Sequence, residues 1–297
     1  MKIGYFPGCS LDFSAKEFDT SLQAVATSAG MELEEIKDWA CCGATSGHAT
    51  NHLLSIALPA RTLALAEEQE LERVVAPCAA CYSRLATARH EMAEDKKLFS
   101  KVTGILKRDF TNSVQVMNIA ELLRDNLPAI KEKVTHPLKD LKVACYYGCL
   151  LVRPPKVTGF DDTEDPSSME EVCRAAGATP VKWNKRLDCC GGGFSLSRTG
   201  SVIRLGKEIL EDAQAAGAQA VVVACPMCHS NLDLRQKAIA EQTAKPLEMP
   251  ILFITQLVGL AMGISEQILG LNRHFVSAQP IIAKATVKAL PAAREEA

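Results

Sequence analysis

Five cysteines occur twice in this chain, in the same order and at nearly the same spacing. The first set is Cys9, the adjacent pair Cys41 and Cys42, then Cys78 and Cys81. The second is Cys149, the pair Cys189 and Cys190, then Cys225 and Cys228. As patterns they read C-x31-CC-x35-C-x2-C and C-x39-CC-x34-C-x2-C, and they take up ten of the twelve cysteines. A repeat of this kind points to two copies of one structural unit, each carrying the same chemistry.

The copies match beyond their cysteines. Lys2-Ile-Gly-Tyr-Phe-Pro-Gly-Cys9 aligns with Lys142-Val-Ala-Cys-Tyr-Tyr-Gly-Cys149. The segment before Cys78 aligns likewise with the one before Cys225, and both doublets are followed by glycine. Four β-rich runs are expected per copy, at residues 3–6, 32–36, 73–76 and 114–117, then at 143–147, 179–183, 220–224 and 251–254. Helix-period segments lie between them, at 12–29, 53–70, 80–94, 201–216 and 227–241. Pro59 is expected to kink or restart the second of these. Alternation of strand and helix predicts an α/β fold of two pseudo-symmetric, Rossmann-like halves. Each half has a small, mostly parallel sheet flanked by helices. The expected units are residues 1–135 and 136–275, with a C-terminal tail at 276–297. The strand-to-helix turns lie at the carboxyl ends of parallel strands, so cysteines far apart in sequence converge on one edge of each sheet.

Composition narrows the chemistry. Net charge is −2, from 33 basic and 35 acidic residues, with no sign of a nucleic-acid partner. The start of the chain lacks the apolar run of a secretory signal, and the apolar stretch at 251–264 is too short for a bilayer. Direct membrane insertion is therefore not expected. A cytoplasmic, reducing location is expected, where clustered cysteines hold metal rather than form disulfides. Four thiolates complete a zinc site or a cubane cluster. Each set offers five, two of them adjacent. Neighbouring residues do not readily place both sulfurs on one ion, but they can reach two neighbouring irons. The sets therefore favour an iron–sulfur cluster of uncommon shape, with zinc in one set, or a zinc-binding scaffold, as the alternative.

On these residues the chain resembles the CCG cysteine-rich domain and, with two copies, the B subunit of heterodisulfide reductase. The likeness covers roughly residues 1–275, and the gap between Cys190 and Cys225 is one residue short of the usual range. The resemblance implies two noncubane [4Fe-4S] clusters. Cys9, Cys41, Cys42, Cys78 and Cys81 would hold one; Cys149, Cys189, Cys190, Cys225 and Cys228 would hold the other. It implies a catalytic chain that reduces a small disulfide, of the coenzyme M–coenzyme B type, by two electrons between the clusters. It also implies partners, the iron–sulfur C subunit and the flavin-containing A subunit of a heterodisulfide reductase-like complex. The chain has no Gly-x-Gly-x-x-Gly turn of its own for a flavin or nicotinamide. An electron-relay subunit of a lactate, glycolate, succinate or thiol:fumarate oxidoreductase is the alternative within the same domain type.

His48 and His229, close to the cysteine motifs, are candidate proton donors. His274 reads as structural. Cys145 stands where the first copy has Tyr5, and both it and Cys173 read as core residues. Arg153, Lys185 and Arg198 are candidate anion-binding side chains. The acidic run at 161–165 reads as an exposed loop over the second set.

Overall fold

The computed structural model describes residues 2–243 and 247–286. Two four-stranded, all-parallel sheets repeat one topology. In the first half, strands β1 (Lys2–Tyr5), β2 (Glu32–Glu35), β3 (Arg73–Val75) and β4 (Gln115–Met117) stand in the order β2-β1-β3-β4. They are followed respectively by helices α1 (Lys16–Ser28), α2 (His52–Glu68), α3 (Ala79–Glu94) and α4 (Ile119–Asp125). In the second half, β5 (Lys142–Tyr146), β6 (Thr179–Pro180), β7 (Ala220–Val223) and β8 (Ile251–Phe253) stand as β6-β5-β7-β8. Their helices are α5 (Ser168–Ala175), α6 (Thr199–Ala215), α7 (Pro226–Leu234) and α8 (Ile254–Ala261).

The strand sequences explain these positions. β7 is Ala-Val-Val-Val and buried throughout, as a central parallel strand covered on both faces must be. The edge strand β2 carries Glu32, Glu34 and Glu35, and Lys2 pairs with Glu34 at 3.1 Å. The opposite half ends in the shortest strand, β6, where Pro180 is tolerated because an edge needs fewer ladder bonds.

One continuous apolar core runs through both halves. Its seam is reciprocal: α1 packs on α8, and the repeat-equivalent helices α5 and α4 pack on each other. At the first contact the rings of Phe18 and Phe253 stack at 4.2 Å, inclined by 6°. Beside them Ser21 and Thr255 share a buried hydroxyl hydrogen bond of 2.7 Å. At the other contact, Arg124 on α4 donates to the Phe160 carbonyl at 2.7 Å, and Tyr82 meets the Phe160 ring edge-on.

Four local expectations change. Helix α2 runs unbroken through Pro59. The segment around Pro59 is buried almost residue by residue, and that packing offsets a penalty of roughly 3 kcal/mol for an interior proline. The segment expected as one helix at 12–29 begins instead with a π-turn, Ser10–Ser14, before α1. The segment expected at 227–241 is two helices, α7 and Gln236–Thr243. Gln236 at the junction clamps the Met249 backbone, donating to its carbonyl at 2.7 Å and accepting from its N–H at 2.8 Å. The segment expected as a tail contains the helix Gln279–Thr286, which buries Ile281 and Ala285. Residues 287–297 lie outside the described residues.

We propose residues 135 and 136 as the boundary between the units. Both their N–H groups donate to the Ala261 carbonyl, at 3.0 and 2.8 Å, and tie the linker to α8. Replacing Phe18 with alanine should lower unfolding stability by about 3–5 kcal/mol in chemical denaturation. A change within about 0.5 kcal/mol, as at an exposed surface site, would contradict the seam described here.

Candidate metal centre

All ten repeated cysteines come together at the carboxyl edges of the two sheets. The strand-to-helix turns bring them there. Cys78 caps the start of α3 and Cys225 the start of α7, so the amide groups of each first helical turn face the thiols. Backbone N–H groups of Met227 and Cys228 act on Cys225, whose thiol lies well below the usual range. The strongest influence on it is the Cys228 thiol, followed by that of Cys78. Cys78 in turn is pushed up, chiefly by its contact with Cys225. Cys78 and Cys225 therefore bring the two sets within reach of each other across the seam.

Within each half the doublet divides the five cysteines in two. Cys42 turns inward and lies 3.4 Å from Cys81; Cys190 lies 3.5 Å from Cys228. Cys41 turns outward and pairs with Cys9, and Cys189 lies 3.8 Å from Cys149. Cys9, Cys41 and Cys189 are exposed and Cys149 half-buried, whereas the other six are buried. Each set thus has a floor of three buried thiols and a rim of two accessible ones.

The thiols share protons unevenly. Donation from Cys81, aided by the Ala44 amide and the Arg84 charge, lowers Cys42 to about 7 against the cost of burial. Donation from Cys149, with the Gly191 and Gly192 amides, lowers Cys189 to about 6. Anionic sulfur is therefore already favoured at two floor positions, Cys42 and Cys225, and one rim position, Cys189, as a metal-binding thiolate requires.

Close backbone approach completes each cradle. Gly8 has φ +60°, and a Cβ there would sit 2.8 Å from Cys81 Sγ; Gly148 has φ +65°, and its Cβ would sit 3.2 Å from Cys228 Sγ. Under these glycines lie the rings of Phe6 and Tyr146. Among the described residues, no three His, Cys, Asp or Glu side chains gather closely enough to hold a single ion. The floor-and-rim spread of five soft donors fits a polynuclear iron–sulfur group better than one zinc ion.

The other expected residues separate. His48 is exposed beside the first set, and its Nδ1 accepts from Arg84 at 2.8 Å. His229 is buried at 6% exposure, with Nε2 on the Ile251 carbonyl at 3.1 Å. Its ring stacks on Phe253 at 4.3 Å and meets His274 edge-on. Burial, then His274, lowers it to about 3, so it stays neutral near pH 7 and has no proton to give. Its repeat partner is Tyr82, a core aromatic at 1% exposure, which explains its role as packing. His274 is structural, bonded to Gln256 at 2.9 Å. Cys145 and Cys173 are both fully buried, 3.7 Å apart, away from the sets' own pairings.

Arg153 pairs with Glu164, Lys185 with Asp188 and Glu208, and Arg198 lies over the Phe194 ring. Of these only Arg198 remains without a carboxylate among the described residues. The acidic loop is exposed at Asp165, which pairs with Arg186; its neighbours Thr158 and Phe160 reach across to the first half. Two residues escaped the sequence reading: Arg84 and Asn231. Each stands three positions after the last cysteine of its set, a correspondence visible once Cys81-Tyr-Ser-Arg84 is laid on Cys228-His-Ser-Asn231.

Comparison with known proteins agrees with the repeat. The profile of the CCG cysteine-rich domain matches residues 3–86 and again 143–233. The 8-methylmenaquinol:fumarate reductase membrane anchor subunit of Wolinella succinogenes is 36% identical, over 93% of this chain and 98% of its own length. The B subunit of the ferredoxin:CoB-CoM heterodisulfide reductase of Methanosarcina mazei is 33% identical, over 77% of this chain and 78% of its own. The chain belongs to the CCG-domain family of proteins like the heterodisulfide reductase B subunit. A further B subunit of this family, from Methanosarcina acetivorans, is 28% identical over 95% of this chain and 96% of its own length. A Helicobacter pylori protein of solved structure shares the fold with a TM-score of 0.70 at 11% identity; it covers 93% of this chain, which spans 52% of that one.

The glycine cradle gives a direct test. In Gly8→Ala the backbone strain of about 1–2 kcal/mol and the clash with Cys81 should remove most of the first set's iron, roughly half of the total. Gly104→Ala, where a Cβ would meet nothing, should keep full loading. Full iron in Gly8→Ala would contradict the cradle.

Proposed function

We propose that the chain is the iron–sulfur redox component of a multi-subunit reductase, in which two facing noncubane [4Fe-4S] centres reduce a small disulfide by two electrons. The observation that carries this reading is the approach of the two cysteine sets to one another at Cys78 and Cys225. One set alone suits a relay of single electrons. Two sets brought together suit a reaction in which two electrons must reach one S–S bond.

The roles of the chain's own residues follow. Cys9, Cys41, Cys42, Cys78 and Cys81 hold the first centre, and Cys149, Cys189, Cys190, Cys225 and Cys228 the second. When bound, each centre supplies one electron at a time. The floor thiols and the aromatic rings beneath them exclude water, and the half-open rim admits substrate. A hollow of about 380 Å³ beside Cys41, lined by Gly43, Ser46, Gly47, Leu54 and Leu58, gives a small molecule room to approach. Reduction of R–S–S–R′ takes two electrons and two protons and leaves two thiols. His48 is the titratable side chain placed to deliver a proton there. The Arg84 guanidinium can only donate, so Nδ1 accepts in this contact, and the ring has to release Arg84 and take up a proton from solvent before it can give one.

Electrons have to come from other chains, and we assign that part to an iron–sulfur C subunit and a flavin-containing A subunit. Exposed Phe13, Phe194 and Leu196, just beyond cysteines of the two sets, support a protein surface there. A second reading is favoured by the 36% identity to a membrane anchor subunit. In it the same centres pass electrons between a quinol and fumarate. Among the described residues no helix is long and apolar enough to cross a membrane.

Metal and acid-labile sulfide analysis tests the cofactor. About four irons with sulfide per half is expected, and zinc without sulfide would refute it. Cys190→Ala should abolish disulfide reduction and alter one of two paramagnetic signals. Full activity in that variant would overturn the assignment. Turnover with menaquinol but with no low-molecular-weight disulfide would select the second reading.

A further inference from the structure

Arg84 and Asn231 occupy equivalent places in the repeat, one helical turn beyond Cys81 and Cys228 and on the same helix face. Asn231 reaches the inward cysteine of its doublet, and Arg84 reaches the segment that follows its own. Asn231, 2% exposed, donates from Nδ2 to the Cys190 carbonyl at 3.1 Å and toward Cys190 Sγ at 3.7 Å. Its Oδ1 accepts from Ser195 at 2.8 Å, so the amide is held on both sides. Arg84, half-buried, crosses from α3 to the segment after the first doublet, where its Nη1 meets His48 Nδ1 at 2.8 Å. His48 is anchored there by its N–H on the Gly43 carbonyl, 2.8 Å away. One position thus carries a cation in the first half and a neutral amide in the second.

The acids nearest the two doublets do not cancel the charge of Arg84. Asp38, shortly before the first doublet, is held by Arg61, whose second nitrogen bonds its carbonyl. Asp188, next to the second doublet, is held by Lys185 at 2.8 Å. Each of these acids has its own cation. Among the described residues no carboxylate pairs with Arg84, and its partner His48 only accepts a hydrogen bond from it. The charge of Arg84 is left to act on the first set, and it is felt at Cys42.

We propose that Arg84 raises the reduction potential of the centre held by the first cysteine set. The inference rests on the reading that both sets hold iron–sulfur clusters. Added negative charge on a thiolate-bound centre is stabilised by a nearby cation and by hydrogen bonds to its sulfurs, and its potential rises. Arg84 is a positioning residue in this scheme, since it acts through Cys42.

The test is an electron-paramagnetic-resonance redox titration of the intact holoprotein, with Cys190→Ala used to tell the two signals apart. In Arg84→Gln the midpoint of the first centre should fall by at least a tenfold change in equilibrium, ~59 mV for a one-electron couple. The second midpoint should stay in place. Arg84→Lys, which keeps the charge, should restore the first midpoint, and both variants should retain their iron and sulfide. An unmoved first midpoint in Arg84→Gln overturns the proposal. So does an equal shift of both centres, or loss of iron in the Gln and Lys variants alike, which would make Arg84 a structural residue. Absence of iron and sulfide from the unaltered protein overturns the cluster reading, and this proposal with it.

Discussion

The meeting of Cys78 and Cys225 depends on one constraint, the reciprocal packing of the two halves. Each of these residues caps a helix at the carboxyl end of a central strand. They meet only if both sheets turn those edges toward one another. That orientation is set far from the sulfurs, by the reciprocal packing of α1 on α8 and of α5 on α4. Phe18, Phe253 and His229 form one stack within that packing. A histidine beside a cysteine motif thereby serves geometry rather than chemistry. The burial that lets its ring stack is also what keeps it uncharged.

The adjacent cysteines make sense in the same terms. Two neighbouring residues in an extended turn point in different directions. Cys42 and Cys190 face inward to the helix-capping pairs, and Cys41 and Cys189 face outward to the strand-end cysteines. A doublet therefore joins a buried floor to an open rim. Five soft donors arranged in this way suit a centre of several irons better than a single metal ion. The glycines that follow β1 and β5 let the backbone touch the floor sulfurs, which a side chain would prevent.

Much of this was legible in the amino-acid sequence because the repeat states it twice. The strands, their parallel order and the gathering of the cysteines all follow from short apolar runs, each ending at a cysteine motif. What stayed hidden depends on partners distant in sequence. Pro59 reads as a helix breaker, and only the burial around it keeps α2 whole. The break between α7 and the next helix comes from Gln236 gripping Met249 across a loop. His229 looks like an acid until its ring is seen between Phe253 and His274. Arg84 was missed although the signal was present: the repeat has arginine in one copy and asparagine in the other, three residues after the last cysteine. The likeness of the halves is easy to read, and a charged difference at one equivalent position is easy to pass over.

The central claim is that the two sets form one two-electron site rather than two separate relays. The most direct measurement is the magnetic coupling between the centres in the holoprotein, with both of them made paramagnetic. The approach of the two sets at Cys78 and Cys225 predicts strong spin–spin interaction, seen as split or broadened resonances that become simple again when either centre alone is paramagnetic. Two sharp, independent signals that simply add would contradict it.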